Sequence, residues 1–265
     1  MKVGAWNVES LSEDKQQAAI ATAVELGLDA MVLYETWLRP NRGPLQPRHA
    51  LWHRLDLICR DLHPNAPRGK GGISLLVLQA ASATLYRHCP RFHWAIWTTT
   101  RSTVAGVYIP PSVPLDEFVR VLDDLATALE AVFMNRPRSL IVVGDFNARL
   151  GALVGDHVTN ARSSAMQAFI TRTRLELLNS RLQRSDRRYT WRCPLGKSVV
   201  DLALTRDAPC SSFFVGAPPV ATPHQLMLVD VADSVEEVVA DPSRWACSRA
   251  AFSNPDRREL CSALL

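Results

Sequence analysis

Apolar and polar positions repeat with two different periods along this chain, and the period switches where turn-forming residues fall. Residues 2–8 make an apolar run of strand length that ends in Asn7-Val8-Glu9. A polar stretch follows, in which Ser10 or Ser12 can cap a helix and Glu13 and Asp14 suit its positive end. Ala19, Ile20, Ala23, Val24 and Leu26 then fall on one helical face, and Gly27 is a plausible stop. Residues 30–34 predict a second buried strand, ending in Glu35. Residues 39–47 and 64–70 are rich in Pro, Arg and Gly and predict loops, while 48–63 fit either a helix or a strand pair. Strands are expected at 73–78, 92–98 and 103–109, then a strongly amphipathic helix at 114–133 with Phe118, Val121, Leu122, Leu125, Leu129 and Val132 on its apolar face. A helix at 165–178 and short strands at 189–191, 199–204, 213–215 and 226–231 complete the pattern, which thins beyond 235; residues 243–265 read as an appended segment. Helices interleave with strands early and strands crowd together later. That mixture predicts a layered α/β sandwich rather than a doubly wound sheet.

One stretch stands out, Ser139-Leu140-Ile141-Val142-Val143-Gly144-Asp145-Phe146-Asn147-Ala148. The apolar run predicts a buried strand, and Gly144 lets the backbone bend or approach a neighbour closely at the strand's end. Extended geometry carried slightly further would set Asp145 and Asn147 on one face and point Phe146 into the core. An acid and an amide at a strand exit suit a hard metal ion and a phosphoryl oxygen. The same residues also suit an Asx turn closing the strand.

Composition narrows the setting. The 265 residues are 47% hydrophobic, enough core for one large domain or two small ones. The formal net charge is +4, carried almost wholly by arginine, whose planar fork suits phosphate. Six scattered cysteines contain no C-x-x-C pair, which argues against structural zinc. The opening residues lead directly into a strand, and no apolar run approaches the ~18 residues of a membrane helix, so a soluble intracellular protein with free thiols is expected.

The candidate chemistry lies at the predicted strand ends: Asn7, Glu9, Glu35, Tyr108, Asp145, Asn147, Asp201 and His224. Strands ending at one rim would gather them in one cleft, where Glu35 and Asp145 could share a divalent cation and His224 could do acid–base work oriented by Asp201. Each has a plainer counterpart. A Glu after a strand is ordinarily a solvated rim residue, a His after Pro a surface or satisfied core group, a Tyr like Tyr108 a core residue. Asp201, between Val200 and Leu202, is more telling, because an acid inside an apolar strand needs a partner. Arg181, Arg184, Arg187, Arg188 and Arg192 form a basic cluster that suits backbone phosphates or a solvated loop equally well.

The ordered set Trp6-Asn7-Val8, Tyr34-Glu35-Thr36-Trp37, Gly69-Lys70-Gly71-Gly72, Val107-Tyr108-Ile109-Pro110-Pro111, Gly144-Asp145-Phe146-Asn147-Ala148, Thr190-Trp191, Ser198-Val199-Val200-Asp201 and Pro223-His224 resembles the endonuclease/exonuclease/phosphatase superfamily, and within it the apurinic-type endonuclease domain of non-LTR (LINE-like) retrotransposons. The resemblance spans roughly residues 1–232 and divides the chain into a catalytic domain at 1–234 and a linker-like extension at 235–265. It implies an α/β (α+β) four-layer sandwich, two packed mixed β-sheets flanked by helices (DNase I-like), that cleaves phosphodiesters with Mg²⁺ or Mn²⁺ by in-line attack of water. By position, Glu35 resembles the principal metal ligand, with Asn7, Glu9 and Asp145 beside it. Asp145 and Asn147 resemble the pair that positions water and phosphate, Tyr108 a phosphate-contacting phenol, and Asp201 the acid that orients the histidine, His224. DNA is the implied partner, with Lys70, Arg184, Arg187, Arg188 and Arg192 as contacts. The resemblance also implies a monomeric domain, a reverse transcriptase fused behind it in the parent element, and a nuclear location if the chain derives from one. The last motif departs from the family's Ser-Asp-His: here it is Thr222-Pro223-His224. Proline cannot replace the missing carboxylate, so slowed turnover is expected. The alternatives are another hydrolase of the superfamily, acting on RNA or a phosphorylated small molecule, and a module that binds nucleic acid with impaired catalysis.

Overall fold

The computed structural model describes residues 1–39, 47, 49–57, 71–89, 91, 93–135 and 139–232. The elements in chain order are β1 (Lys2–Asn7), α1 (Glu13–Glu25), β2 (Ala30–Tyr34), β3 (Trp52–Leu57), β4 (Ile73–Leu78), β5 (Thr84–His88), β6 (Trp94–Thr98), β7 (Ser102–Tyr108), α2 (Leu115–Asn135), β8 (Ser139–Asp145), α3 (Ser163–Thr173), β9 (Glu176–Leu177), β10 (Trp191–Cys193), β11 (Gly196–Ser198), β12 (Asp201–Arg206), β13 (Cys210–Gly216) and β14 (Leu226–Val231). Among the described residues the strands form two six-stranded sheets, ordered β13-β14-β1-β2-β4-β3 and β5-β6-β7-β8-β12-β9, with β10–β11 as a separate hairpin. Each large sheet holds one parallel pair, β1–β2 and β7–β8, and each pair is joined through a helix. Parallel strands need such a crossover because the chain must return to the same end.

Three hydrophobic clusters explain the layering. Val3, Ala5, Val32, Tyr34, Leu75, Val104, Ile141, Val143, Ala203, Met227 and Val229 pack between the sheets. Ile20 and Ala23 of α1, with Leu26 just past its end, pack with Trp6, Met31 and Leu33 on the outer face of the first sheet. Phe118, Leu122, Leu125 and Leu129 of α2, with Met166 and Phe169 of α3, cover the second sheet. The result is the four-layer sandwich expected: helix, sheet, sheet, helices. The α1 cap is also as expected, with the Ser12 hydroxyl accepting from Lys15 N–H at 3.3 Å.

The structure corrects several boundaries. Residues 52–57 are a strand; the rest of the ambiguous 48–63 segment lies largely outside the described residues, as do most of the loop expected at 39–47, all of that expected at 64–70, Lys70 among them, and the segment beyond 232. The helix expected at 165–178 stops at Thr173, where Arg174 turns left-handed (φ 54°), and Glu176–Leu177 pairs as a strand with β12. The strand expected at 189–191 begins only at Trp191, and that expected at 199–204 begins at Asp201.

Register is what positions the site. Tyr108 pairs with Asp145 and Asp145 with Asp201, so three strand ends lie level on the second sheet. Asn7 pairs with Tyr34 on the first sheet, one residue before Glu35. Gly144 permits this alignment: a Cβ there would lie 2.1 Å from the Val107 carbonyl oxygen, so only glycine lets β8 approach β7 at this level.

Candidate active site

The rim of the first sheet is built by three interlocked loops. Ser10 N–H donates to Glu35 O (2.8 Å), Leu11 N–H to Thr36 O (2.9 Å), and Trp37 N–H to Gly71 O (2.9 Å). These bonds hold four non-glycine residues in left-handed conformations: Glu9 (φ 42°), Ser10 (82°), Glu35 (55°) and Trp37 (50°). Such strain persists only where the surroundings over-determine it, and here it falls at the predicted metal ligands. Gly72 (φ 87°) completes the lock, since a Cβ there would meet Thr36 Oγ1 at 2.6 Å. The Lys15 ammonium donates to the Val8 and Glu9 carbonyls and anchors the loop to α1.

Asn7, fully buried, joins the two sheets. Its Nδ2 donates to Glu35 Oε1 (3.0 Å) and to Asp145 Oδ2 (3.2 Å), and its Oδ1 accepts from Glu9 N–H (3.1 Å). Glu35 and Asp145 are thereby drawn to one amide. Glu9 enters through its backbone; its carboxylate acts on Tyr108 and Lys15 only through charge.

Asp145, Asp201 and Tyr108 of the second sheet are buried, and so is His224, which reaches them from the turn just before β14 of the first sheet. His224 Nδ1 lies 3.0 Å from Asp201 Oδ2 and 3.2 Å from Oδ1, which supplies the partner that an acid in an apolar strand requires. The other ring nitrogen, Nε2, stands 4.0 Å from Asp145 Oδ2. Asp145, Asp201 and His224 each offer a ligand atom within 4.8 Å of the others. Asn147 corrects the extended geometry expected after Asp145: it is left-handed (φ 49°), its N–H donates to Asp145 Oδ1 (2.9 Å), and its Nδ2 donates to Ile109 O (3.1 Å). The stretch is an Asx turn and a polar cluster at once, and Phe146 is buried in the helix-covered core as expected.

Three contacts escaped the sequence analysis. Thr190 Oγ1 accepts from the N–H groups of Val200 and Asp201 (3.1 and 3.0 Å) and so fixes the start of β12. Trp6 Nε1 donates to Thr222 Oγ1 (3.0 Å), which donates to His224 O (2.9 Å), tying the histidine's turn to β1. The guanidinium of Arg162, 6% exposed, donates to five backbone carbonyls. Trp6 and Thr190 stood in the motif set as signals without a role; nothing local marks Arg162.

The basic cluster divides. Arg188 is committed to Gly155 O, Ser185 O and the Tyr189 hydroxyl, and Arg181 to Glu176 and Cys210 O. Arg184 is exposed, Arg187 lies over Phe214, and Arg192, with Lys197 beside it, flanks the Tyr189 ring on the β10–β11 hairpin. That hairpin adjoins the site through Arg192 N–H to Pro223 O (2.8 Å) and Gln225 N–H to Thr190 O (2.7 Å).

The cluster is electrostatically loaded. Burial, then the like charge of Asp201, pushes the Asp145 carboxyl well above the ordinary carboxylate range, against the pull of His224. Burial opposes charge on His224, but Asp201 and then Asp145 outweigh it and raise its pKa to about 9. Burial and the charge of Glu35 push the Tyr108 phenol upward, so it stays a neutral donor. Both raised groups act on stability with the same sign. His224 stabilises the fold fully below its unfolded value of 6.5, and that contribution is lost as pH rises through about 9. Ionising Asp145, held above 3.8, likewise penalises the fold as pH rises. The metal-free chain should therefore lose stability between pH 6.5 and 9, and His224→Gln should flatten that slope in urea unfolding. An equal slope in parent and variant would place the pH dependence elsewhere.

Glu35 and Asp145 converging on one amide, with Asp145's ionised form disfavoured in the absence of a counter-charge, is a donor set that fits a hard divalent cation.

A two-sheet α/β sandwich with acids and a paired histidine at one rim of the sheets defines a DNase I-like fold of the endonuclease/exonuclease type. Residues 4–243 match the endonuclease/exonuclease/phosphatase family, and the chain belongs to it. Similar solved structures include the endonuclease domain of TRAS1, a telomere-specific non-LTR retrotransposon (15% identity, 88% of this chain and 98% of that one, TM-score 0.62). The 3'-5' exonuclease NExo from Neisseria meningitidis is similar at 17% identity (87% and 99%, TM-score 0.66), and an AP endonuclease from Archaeoglobus fulgidus at 14% (87% and 99%, TM-score 0.63). At these identities the likeness concerns the fold. No curated protein matches the chain in sequence. Among the described residues no helix is long and apolar enough to cross a membrane.

Proposed function

We propose that this chain is a divalent-metal-dependent DNA-nicking endonuclease domain of a retrotransposon-like element, slowed by Pro223. The observation that carries it is His224, bonded through Nδ1 to Asp201 and presenting Nε2 beside Asp145, level with Tyr108 and facing Glu35 and Asn7. Glu35 and Asp145 would hold Mg²⁺ or Mn²⁺, with Asn7 and Glu9 around them; the ion would supply positive charge to a phosphoryl oxygen. Asp145 and Asn147 hold the attacking water and the phosphate; the water gives up a proton to the Asp145 carboxylate as the new O–P bond forms in line with the breaking P–O bond, and the leaving oxygen takes up a proton in its place. Asp201 keeps the imidazole in one orientation, so that Nε2 faces the phosphate, and the neutral Tyr108 hydroxyl donates to a phosphate oxygen. Arg184, Arg187 and Arg192, with Lys197, offer a face for backbone phosphates without reading sequence. Arg188 braces the Tyr189 loop from within. The motif set and the likeness to the TRAS1 domain support the retrotransposon origin, and a nuclear site of action goes with it.

A second reading, a nucleic-acid-binding module with impaired catalysis, is favoured by the proline that replaces the family's acid beside His224. Plasmid nicking with Mg²⁺, Mn²⁺ and excess chelator, run beside phosphate release from small phosphoesters, separates the cases. Metal-dependent nicking is expected. Tight plasmid binding with no nicking in saturating Mn²⁺ would establish the second reading, and phosphate release alone would make the chain a small-molecule hydrolase.

A further inference from the structure

Arg162 lies immediately before α3, deep in the protein and outside the set of acids, amides and histidine that the proposed chemistry uses. Its Nη1 donates to Phe146 O (3.1 Å) and Ile109 O (3.3 Å), and its Nη2 to Pro110 O (2.7 Å), Val113 O (2.7 Å) and Pro111 O (3.2 Å). The guanidinium also stacks on Phe118, 4.6 Å from the ring centroid. Five inward-pointing carbonyls present their negative ends to one point. Only a planar cation with several fixed donors answers them together; a lysine ammonium offers three donors from a single atom.

The partners bear on function. Ile109 directly follows Tyr108, and Phe146 directly precedes Asn147. Ile109 O receives both Arg162 Nη1 and Asn147 Nδ2, so one carbonyl is shared by the arginine and a predicted site residue. Asn160 adds a second tie, donating to Asn147 O (2.9 Å) and accepting from Arg162 N–H (3.3 Å). Asn147 is left-handed, a conformation asparagine tolerates better than other side chains, and here its Nδ2 and its carbonyl are both tied, to Ile109 O and Asn160 Nδ2. We infer that Arg162 is a positioning residue: through the Ile109 and Phe146 carbonyls it sets Tyr108 and Asn147 relative to each other and holds the Asn147 turn in its left-handed form.

This inference rests on the nuclease reading for its kinetic consequence, but its structural content stands apart from turnover, so two readouts are used. In plasmid nicking, Arg162→Lys and Arg162→Met should lower kcat about tenfold or more while KM for DNA stays within about threefold, because misplacement acts on the transition state rather than on phosphate grip. Combined with Asn147→Ala, the further loss from Arg162→Lys should shrink below about threefold, as expected of residues acting as a unit. Independently of activity, the chain has four tyrosines, so a ¹³C-tyrosine spectrum can follow Tyr108, assigned by Tyr108→Phe. The Tyr108 signal should move or broaden in folded Arg162→Lys while Tyr86, remote from these carbonyls, stays fixed. Additive losses in the double variant, or an unmoved Tyr108 signal in folded Arg162→Lys, would overturn the inference. If the parent does not nick, the spectrum still decides it, and the nuclease reading fails separately.

Discussion

Asp145→Asn is expected to remove most turnover, by about 10²–10⁴-fold, while leaving the metal-free fold as stable as the parent within about 1 kcal/mol. The two halves of this expectation come from the same atoms. Asp145 Oδ2 faces Asn7 Nδ2 and His224 Nε2, and Oδ1 accepts from Asn147 N–H, so the carboxylate belongs to every part of the cluster. Its ionised form is disfavoured by burial and by Asp201. An amide of the same shape removes that repulsion but exchanges one acceptor for a donor facing Asn7, and the two effects nearly offset. Glu35→Ala should behave differently: Glu35 is only half-buried, and its loss should be partly recovered by raising the metal concentration. Kinetics over a metal titration, with urea unfolding of both variants, check the pair. A folded Asp145→Asn chain that nicks at the parental rate would remove Asp145 from the chemistry.

Much of this site was legible because strand ends in a buried sheet are abrupt. The run from Ser139 to Asp145 stops at a polar residue, the first strand stops at Asn7, and the run ending at Tyr34 gives way to Glu35, so a common rim follows once two sheets are assumed. The Asp201–His224 bond was also foreseeable, since burying a carboxylate in an apolar strand is costly unless it finds a partner. Asn147 shows what was not. An Asp two residues earlier suits both an extended exit and an Asx turn, and the choice is made by tertiary bonds to Ile109 O and from Asn160 Nδ2. The end of α3 was hidden because Leu175, Leu177 and Leu178 continue the apolar pattern; pairing of Leu177 with Leu204 turns that stretch into strand. Arg188 and Arg162 were beyond reach for a different reason. An arginine in sequence is a charge, whereas in the fold these two are braces for carbonyls up to 53 residues away.

Pro223→Asp is expected to raise the nicking rate by about 10²–10⁴-fold, the contribution of a positioned proton-transfer group, with DNA affinity almost unchanged. The turn can take the substitution. Thr222 is held by Trp6 and bonds His224 O, and Pro223 O accepts from Arg192 N–H, so both flanks stay fixed without the pyrrolidine ring. The half-buried side chain at 223 adjoins His224, and a carboxylate there restores the group the family carries. Pro223→Ala is the control, because either change restores a backbone N–H and loosens the unfolded chain, at about 0.4–1 kcal/mol. The two variants should part in stability as well as in rate. A further acid beside Asp145, Asp201 and Glu35 adds like charge to a cluster in which Asp145 already resists ionisation. The metal-free Asp variant should therefore melt below the Ala variant, and Mg²⁺ or Mn²⁺ should close most of the gap. Equal rates for Asp, Ala and parent, with the parent active, would mean that another residue fills the role. Equal melting temperatures with and without metal would place residue 223 outside the charged cluster altogether.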